Sequence, residues 1–154
     1  MTEPAGSLAA RAAADPELWE RLQRIYRETR TIAVVGASER PDRPAHRIPA
    51  YLQAQGYRII PVNPRGGELF GEPVRTSLAE IDEPVDLVNV FRPSAETPDI
   101  ARQAVAAGAR VLWLQVGIES DEARVIAEAA GLVVVMDRCL GATHRWLGLG
   151  PGPG

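Results

Sequence analysis

Five arginines follow three apolar runs at short range: Arg40, Arg43 and Arg47 after IAVV, Arg65 after YRIIPV, and Arg92 after DLVNV. A guanidinium presents paired N–H donors whose fork matches phosphate oxygens. Five on one rim would suit a ligand with several phosphates and would be excessive for a neutral metabolite. Taken singly, each reads equally well as a solvated loop charge; their common placement after apolar runs is what argues for a site. Ahead of the first cluster stand Gly36, Ala37 and Ser38 in the stretch VVGAS. A glycine directly after a buried strand, followed by small residues, lets backbone N–H groups approach a diphosphate.

Other reactive residue types form weaker patterns. Cys139 and His144 could act as thiol and base, but five residues separate them and no third group orients the pair, so no catalytic residue is expected. A lone cysteine is more often a small core residue. His46, in RPAHR, faces either a phosphate or solvent. His46, His144 and Cys139 do not make a spaced ligand set, and no metal site is expected. Glu119, Asp121 and Glu122 resemble paired carboxylates, yet their place at a helix start is explained by the helix dipole. Asp137 and Arg138 are expected to form a local ion pair. Trp113 and Trp146 read as packing residues, whereas Phe91, ending an apolar run, could lie against a ligand.

The elements that would position these groups follow from apolar patterning. Five runs read as strands, Ile32 to Val35, Tyr57 to Val62, Asp86 to Val90, Arg110 to Leu114 and Leu132 to Met136. Between them Ala45 to Gln55, Pro98 to Ala107 and Asp121 to Ala130 read as helices, with Gly56, Gly108 and Gly131 just past their ends. Thr97 and Ser120 are candidate N-caps. An amphipathic helix leads in from Asp15, carried by Leu18, Trp19, Leu22, Ile25 and Tyr26. The segment Glu68 to Glu83 is an irregular crossover with a short helical turn near Ser77 to Ile81. This alternation predicts an α/β fold: a Rossmann-like, doubly wound parallel sheet of about five strands in three α/β/α layers. A flexible segment over 1–14, one domain over 15–148 and a flexible tail over 149–154 complete the expected organisation.

In such a sheet ligands lie at the carboxyl ends of the strands, which confines the search to five loops. Dinucleotide chemistry meets two obstacles there. A GxGxxG fingerprint from Gly36 needs glycines where Ser38 and Pro41 stand, and the second strand closes on Val62, Asn63 and Pro64 without an acidic ribose ligand. No GKS or GKT follows the turn, so a Walker A loop is absent. With 17 Lys plus Arg against 20 Asp plus Glu, the chain lacks a field for nucleic acid, and its one basic patch, RPDRPAHR, is broken by prolines and an aspartate. No apolar run approaches the roughly 18–20 residues that span a bilayer, so no membrane association and a cytoplasmic location are expected.

The ordered set VVGAS, RPAHR, YLQAQGYRIIPVNPR, VDLVNVFRPS, VLWLQVGI and VVMDRCLGATH, from about Thr31 to His144, resembles the small stand-alone CoA-binding proteins related to the N-terminal domain of the succinyl-CoA synthetase alpha subunit. The resemblance implies a Rossmann-like domain holding coenzyme A across the strand ends, with Gly36, Ala37 and Ser38 meeting the phosphates; Arg40 and Arg43, from the loop pattern above, are expected to supply charge for them. It implies that Val62, Asn63, Pro64 and Arg65 form a loop near the adenosine and its 3′-phosphate. Phe91, Arg92 and Pro93 would stand where the synthetases carry a proline-rich turn, and Gln115, Val116, Gly117 and Ile118 where they carry a turn beside the nucleotide. Relatives often read Glu before the closing His, where this chain has Thr143. The synthetase phosphohistidine lies in a second domain, so the expectation is non-catalytic binding of CoA or an acyl-CoA. An NAD(P)-dependent oxidoreductase and a regulatory module sensing acyl-CoA are the alternatives. The expected partner is a small molecule, with a homo-oligomer or another protein partner left open. A mixed disulfide between Cys139 and the CoA thiol is a separate expectation, from its place at a strand end.

Overall fold

The computed structural model describes residues 6–152. The first five residues of the expected N-terminal segment and the last two of the expected tail lie outside the described residues. Seven strands and six α-helices follow one another in the order expected of βαβ units. They are α1 (Leu8–Ala14), α2 (Pro16–Glu28), β1 (Thr31–Val35), α3 (Pro44–Ala54), β2 (Arg58–Val62), β3 (Glu68–Leu69), β4 (Glu72–Pro73), β5 (Leu87–Val90), α4 (Thr97–Ala106), β6 (Val111–Leu114), α5 (Asp121–Ala129), β7 (Val133–Val135) and α6 (Leu140–Trp146).

The five expected strands form one parallel sheet in the order β2-β1-β5-β6-β7. The order reverses beside β1, so the chain winds in both directions and coats both faces. Alternation along β1 shows the consequence: Ile32 and Val34 pack with Leu22, Ile25 and Tyr26 of α2, Leu52 of α3 and Leu140 of α6. Ala33 points the other way, into a core built with Ile100, Ala101 and Ala104 of α4 and Ala123 and Ala127 of α5. The alanines on α4 and α5 let both helices approach the sheet and each other closely. Trp113 is fully buried and its indole N–H donates to the Arg138 carbonyl at 2.7 Å, as a packing residue should.

Helix ends agree with the sequence in most places. Asp15 accepts from the Leu18 N–H at 3.1 Å with Pro16 behind it, Ser120 accepts from the Ala123 N–H at 3.1 Å, and Gly56, Gly108 and Gly131 all take positive φ. Thr97 corrects the expectation. It is the first helical residue rather than the cap, and its hydroxyl donates back to the Ser94 carbonyl at 2.6 Å.

Three elements lie where the sequence predicts none. Helix α1 occupies part of the segment expected to be structureless; Ser7 caps it, and Leu8 rests near Gly148 of the C-terminal stretch. Helix α6 forms over residues to which the sequence assigns no element, and Trp146 there meets Trp19 edge to face at 5.1 Å. The Glu68 to Glu83 crossover contains the β3–β4 hairpin, fastened to β2 by Arg58, which bonds to both Glu72 and Glu83. Gly152, inside the expected tail, donates to the Gln55 carbonyl at 2.7 Å.

Both edges of the sheet are occupied. On the β2 edge, Arg75 pairs with the backbone of Pro61 and Asn63, and on the β7 edge the Arg21 guanidinium donates to the Val134 carbonyl at 3.3 Å. Among the described residues no helix is long and apolar enough to cross a membrane.

Candidate functional site

The turn leaving β1 is held from three sides. Gly36 sits at φ +90°, and a Cβ there would come within 3.0 Å of Arg92 Cδ and 3.1 Å of the Phe91 carbonyl oxygen, so only glycine fits. Its N–H donates to the Val62 carbonyl at 2.9 Å. Asn63 Nδ2 donates to the Ala37 carbonyl at 3.1 Å, while Asn63 Oδ1 accepts from the N–H groups of Arg65 and Gly66 at 2.8 and 3.1 Å. One asparagine therefore shapes its own loop and fastens the neighbouring one. His46 Nδ1–H donates to the Ser38 carbonyl at 2.7 Å and its half-buried ring lies against Phe70, so it braces the turn.

Pro49 supplies the remaining tie. Lacking an N–H, it leaves the Ala45 carbonyl one turn earlier without a helical donor, and the Ser38 N–H fills that vacancy at 3.2 Å. Helix α3 opens on Arg43 and Pro44 with no side-chain cap, so its N-terminal dipole points at the turn uncompensated.

Above these ties lies a cleft of about 1110 Å³ at the carboxyl ends of the strands. All five arginines singled out by the sequence line it, joined by Arg145; among the described residues Glu39 is the one acidic side chain on its walls. Arg92 is bound to Glu96 at 2.8 Å, which raises the guanidinium pKa and lowers that of the carboxyl. Arg40 and Arg65 make only long, exposed contacts of 3.7 Å to Asp42 and Glu39. Such pairs contribute little in water. Arg43 and Arg47, both exposed, carry no ion pair within the described residues.

The expected residues divide cleanly. Gly36, Ala37, Ser38, Arg40, Arg43, Asn63, Pro64, Arg65, Phe91, Arg92, Gln115, Val116 and Ile118 line the cleft. Val62, Pro93 and Gly117 do not: the Val62 side chain is buried in the core, Pro93 precedes a short helical turn, and the Gly117 N–H donates to Asp137 Oδ1 at 2.7 Å. That bond replaces the expected Asp137–Arg138 ion pair. Asp121 and Glu122 lie in the first turn of α5, away from the cleft. Cys139 lines the cleft and its sulfur accepts from the Ala142 N–H at 3.3 Å. The sequence reading missed Ile48, Tyr51 and Arg145. Pro44, Arg47, Ile48 and Tyr51 follow the i, i+3, i+4, i+7 spacing of one helical face, a signal already present in the sequence.

Behind the wall lies a cluster of rings. Tyr51 shares a 2.8 Å hydrogen bond with His144 Nδ1, and the imidazole is fully buried among Tyr26, Tyr51 and Tyr57. Burial depresses the His144 pKa, Arg145 depresses it further, and the Gly150 backbone offsets part of this. Burial also lifts Tyr57 to about 12. The Arg145 guanidinium lies 4.4 Å above the Tyr51 ring. His144 therefore faces Tyr51 rather than Cys139, and the two are not joined as base and nucleophile.

Residues at the floor join three elements. Gln115 Oε1 accepts from the Leu140 N–H at 2.9 Å and from Asn89 Nδ2 at 3.2 Å. Asn89 is itself fully buried mid-sheet and its Oδ1 has no partner. A buried oxygen left unpaired costs about 1–3 kcal/mol, so this amide is not explained by stability.

The arrangement suits a large polyanion with an apolar arm: six guanidinium groups and an uncapped helix end share one cleft with Ile48, Leu69, Phe91, Val116 and Ile118. Several known proteins are similar to this chain. A Bacillus subtilis protein, YneT, is 42% identical over 123 residues, spanning 80% of this chain and 91% of that one. A solved Thermus thermophilus structure superposes with a TM-score of 0.81 at 44% identity, covering 84% of this chain and 98% of that chain. The ADP-forming acetate–CoA ligase of Methanocaldococcus jannaschii is 22% identical over 128 residues, which are 78% of this chain but 18% of the ligase. The CoA binding domain family matches residues 30–145, about three-quarters of the chain and every wall of the cleft, and the chain belongs to that family.

Proposed function

We propose that the cleft binds coenzyme A or an acyl-CoA and performs no chemistry of its own. The observation that carries this reading is one cleft that combines six arginines and an uncapped helix N-terminus with apolar wall residues. Coenzyme A has the matching pair of features, three phosphates and a pantetheine arm, and supplies a thiol that carries acyl groups. Gly36, Ala37 and Ser38 would meet the diphosphate through the backbone, with Arg40, Arg43 and Arg47 beside it. Asn63, Pro64 and Arg65 would border the adenosine and its 3′-phosphate. Phe91, Arg92, Gln115, Val116 and Ile118 would flank the rest.

The non-catalytic part rests on the separation of the reactive groups: His144 is committed to Tyr51 behind the wall, and Cys139 stands in the cleft without a base. The experiment is native mass spectrometry of the purified protein, then calorimetric titration with CoA, dephospho-CoA, acetyl-CoA and NAD. A saturable CoA complex with NAD ignored is the expected result. Binding of NAD with CoA ignored would overturn the reading and return the chain to dinucleotide chemistry.

A further inference from the structure

Gln115 is a side chain with one end already spoken for. Its Oε1 takes two donors, the Leu140 N–H at 2.9 Å and Asn89 Nδ2 at 3.2 Å. The backbone donor settles which end of the amide is oxygen, because an N–H of Leu140 cannot face the amide nitrogen. No described residue accepts from Gln115 Nε2, which is not among the sealed, unpartnered atoms, and Gln115 lines the cleft. The side chain thus offers the cleft donors and withholds its acceptor.

Asn89 has the complementary oddity. It lies in β5, paired on one side with β1 and on the other with β6, and is fully buried. Its Nδ2 reaches Gln115 Oε1 and, at 3.4 Å, the Trp113 carbonyl, while Oδ1 is orphaned. Turning the amide over would set Oδ1 against two other oxygens, so the orientation is fixed at the expense of one unpaired atom. A leucine would fill the same volume with no orphan.

We propose that Asn89 is a positioning residue: it holds Gln115 as a one-way donor aimed at an acceptor oxygen, carbonyl or phosphoryl, of the bound ligand. This rests on the reading of the cleft as a CoA site. It assigns a ligand-recognition role to a residue that never touches the ligand.

The test uses the full chain with Asn89→Leu, Gln115→Met and the double variant. Removal of the orphan predicts an unchanged or higher Tm for Asn89→Leu, together with a CoA affinity about three- to tenfold weaker, the share of one neutral hydrogen bond. In the Gln115→Met background, Asn89→Leu should cause no further loss. Side-chain amide relaxation by NMR, without ligand, should find Gln115 ordered in the natural chain and mobile in Asn89→Leu. The proposal is overturned if Asn89→Leu weakens CoA by the same factor with and without Gln115, or if Gln115 stays equally ordered. Should the natural chain ignore CoA, the functional reading fails, while the NMR comparison still decides whether Asn89 orders Gln115.

Discussion

The Ser38 N–H donates to the Ala45 carbonyl because Pro49, four residues on, has no N–H to offer it. A proline buried inside α3 thereby fixes the conformation of the turn that follows β1. In most helices an interior proline is a defect; here its missing donor is what joins the helix to the turn leaving β1.

Pro49→Ala restores a competing donor for the Ala45 carbonyl. Proteins with this change should show faster amide exchange at Ser38 and CoA binding weaker by about two- to tenfold, the range of one hydrogen bond. Thermal stability should change little, since better helix propensity offsets lost packing. An unaltered Ser38 exchange rate would remove the proline from the site.

Arginines should differ in weight according to what already holds them. Arg43 and Arg47 have no carboxylate partner among the described residues, so Arg43→Ala or Arg47→Ala should each weaken CoA by about tenfold or more at low salt, as expected for a charge-assisted bond. The loss should shrink as salt rises. Arg65→Ala and Arg92→Ala should weaken CoA more than dephospho-CoA if either meets the 3′-phosphate. Equal losses for both ligands, read by calorimetry, would dismiss that assignment.

His144 links stability to pH. Burial holds its folded pKa below the ordinary imidazole value of about 6.5, so between those two values the unfolded chain binds the extra proton and the folded chain does not. This contribution is complete above pH 6.5 and declines as the pH falls through that value toward the folded pKa. Urea unfolding at pH 7 and pH 5 should show a loss in the natural chain that His144→Phe reduces. Glu72, Glu83 and Glu96 have lowered pKa values through Arg58 and Arg92, so their stabilisation is lost below about pH 4.5 and stays outside this window.

Cys139 stands in the cleft wall, half-buried, where the thiol of a bound CoA could reach it. Incubation with CoA disulfide should let the Cys139 thiolate attack one sulfur, forming a mixed disulfide and releasing CoA thiol. Intact mass without reductant should gain one CoA adduct, reversed by dithiothreitol and absent in Cys139→Ser. No adduct on the natural chain would dispose of the idea.

The main sheet was legible in the sequence because its strands are continuous apolar runs and its helices end on glycines that must take positive φ. The β3–β4 hairpin was not, since its strands are two residues long and Phe70, a bulky residue, occupies the left-handed region where glycine is the usual signal. Helix α6 hid for a similar reason: seven residues hold too few turns for periodicity to register, and a cysteine serves as its cap. Asp137 shows how a charge pattern misleads, because a neighbouring arginine suggested an ion pair while the backbone of Gly117 took the carboxylate. At the site, glycine, asparagine and arginine types gave the loops, but Tyr51 and Arg145 required knowing which helix faces turn toward the cleft. Asn89 read as part of an apolar strand; the polar residue inside VDLVNV was the overlooked signal.

Arg75 lies along one border of the sheet, and the Arg21 guanidinium reaches the Val134 carbonyl on the other. A strand added at either margin from another copy would first have to displace these contacts, because each already takes backbone groups that the new strand would pair with.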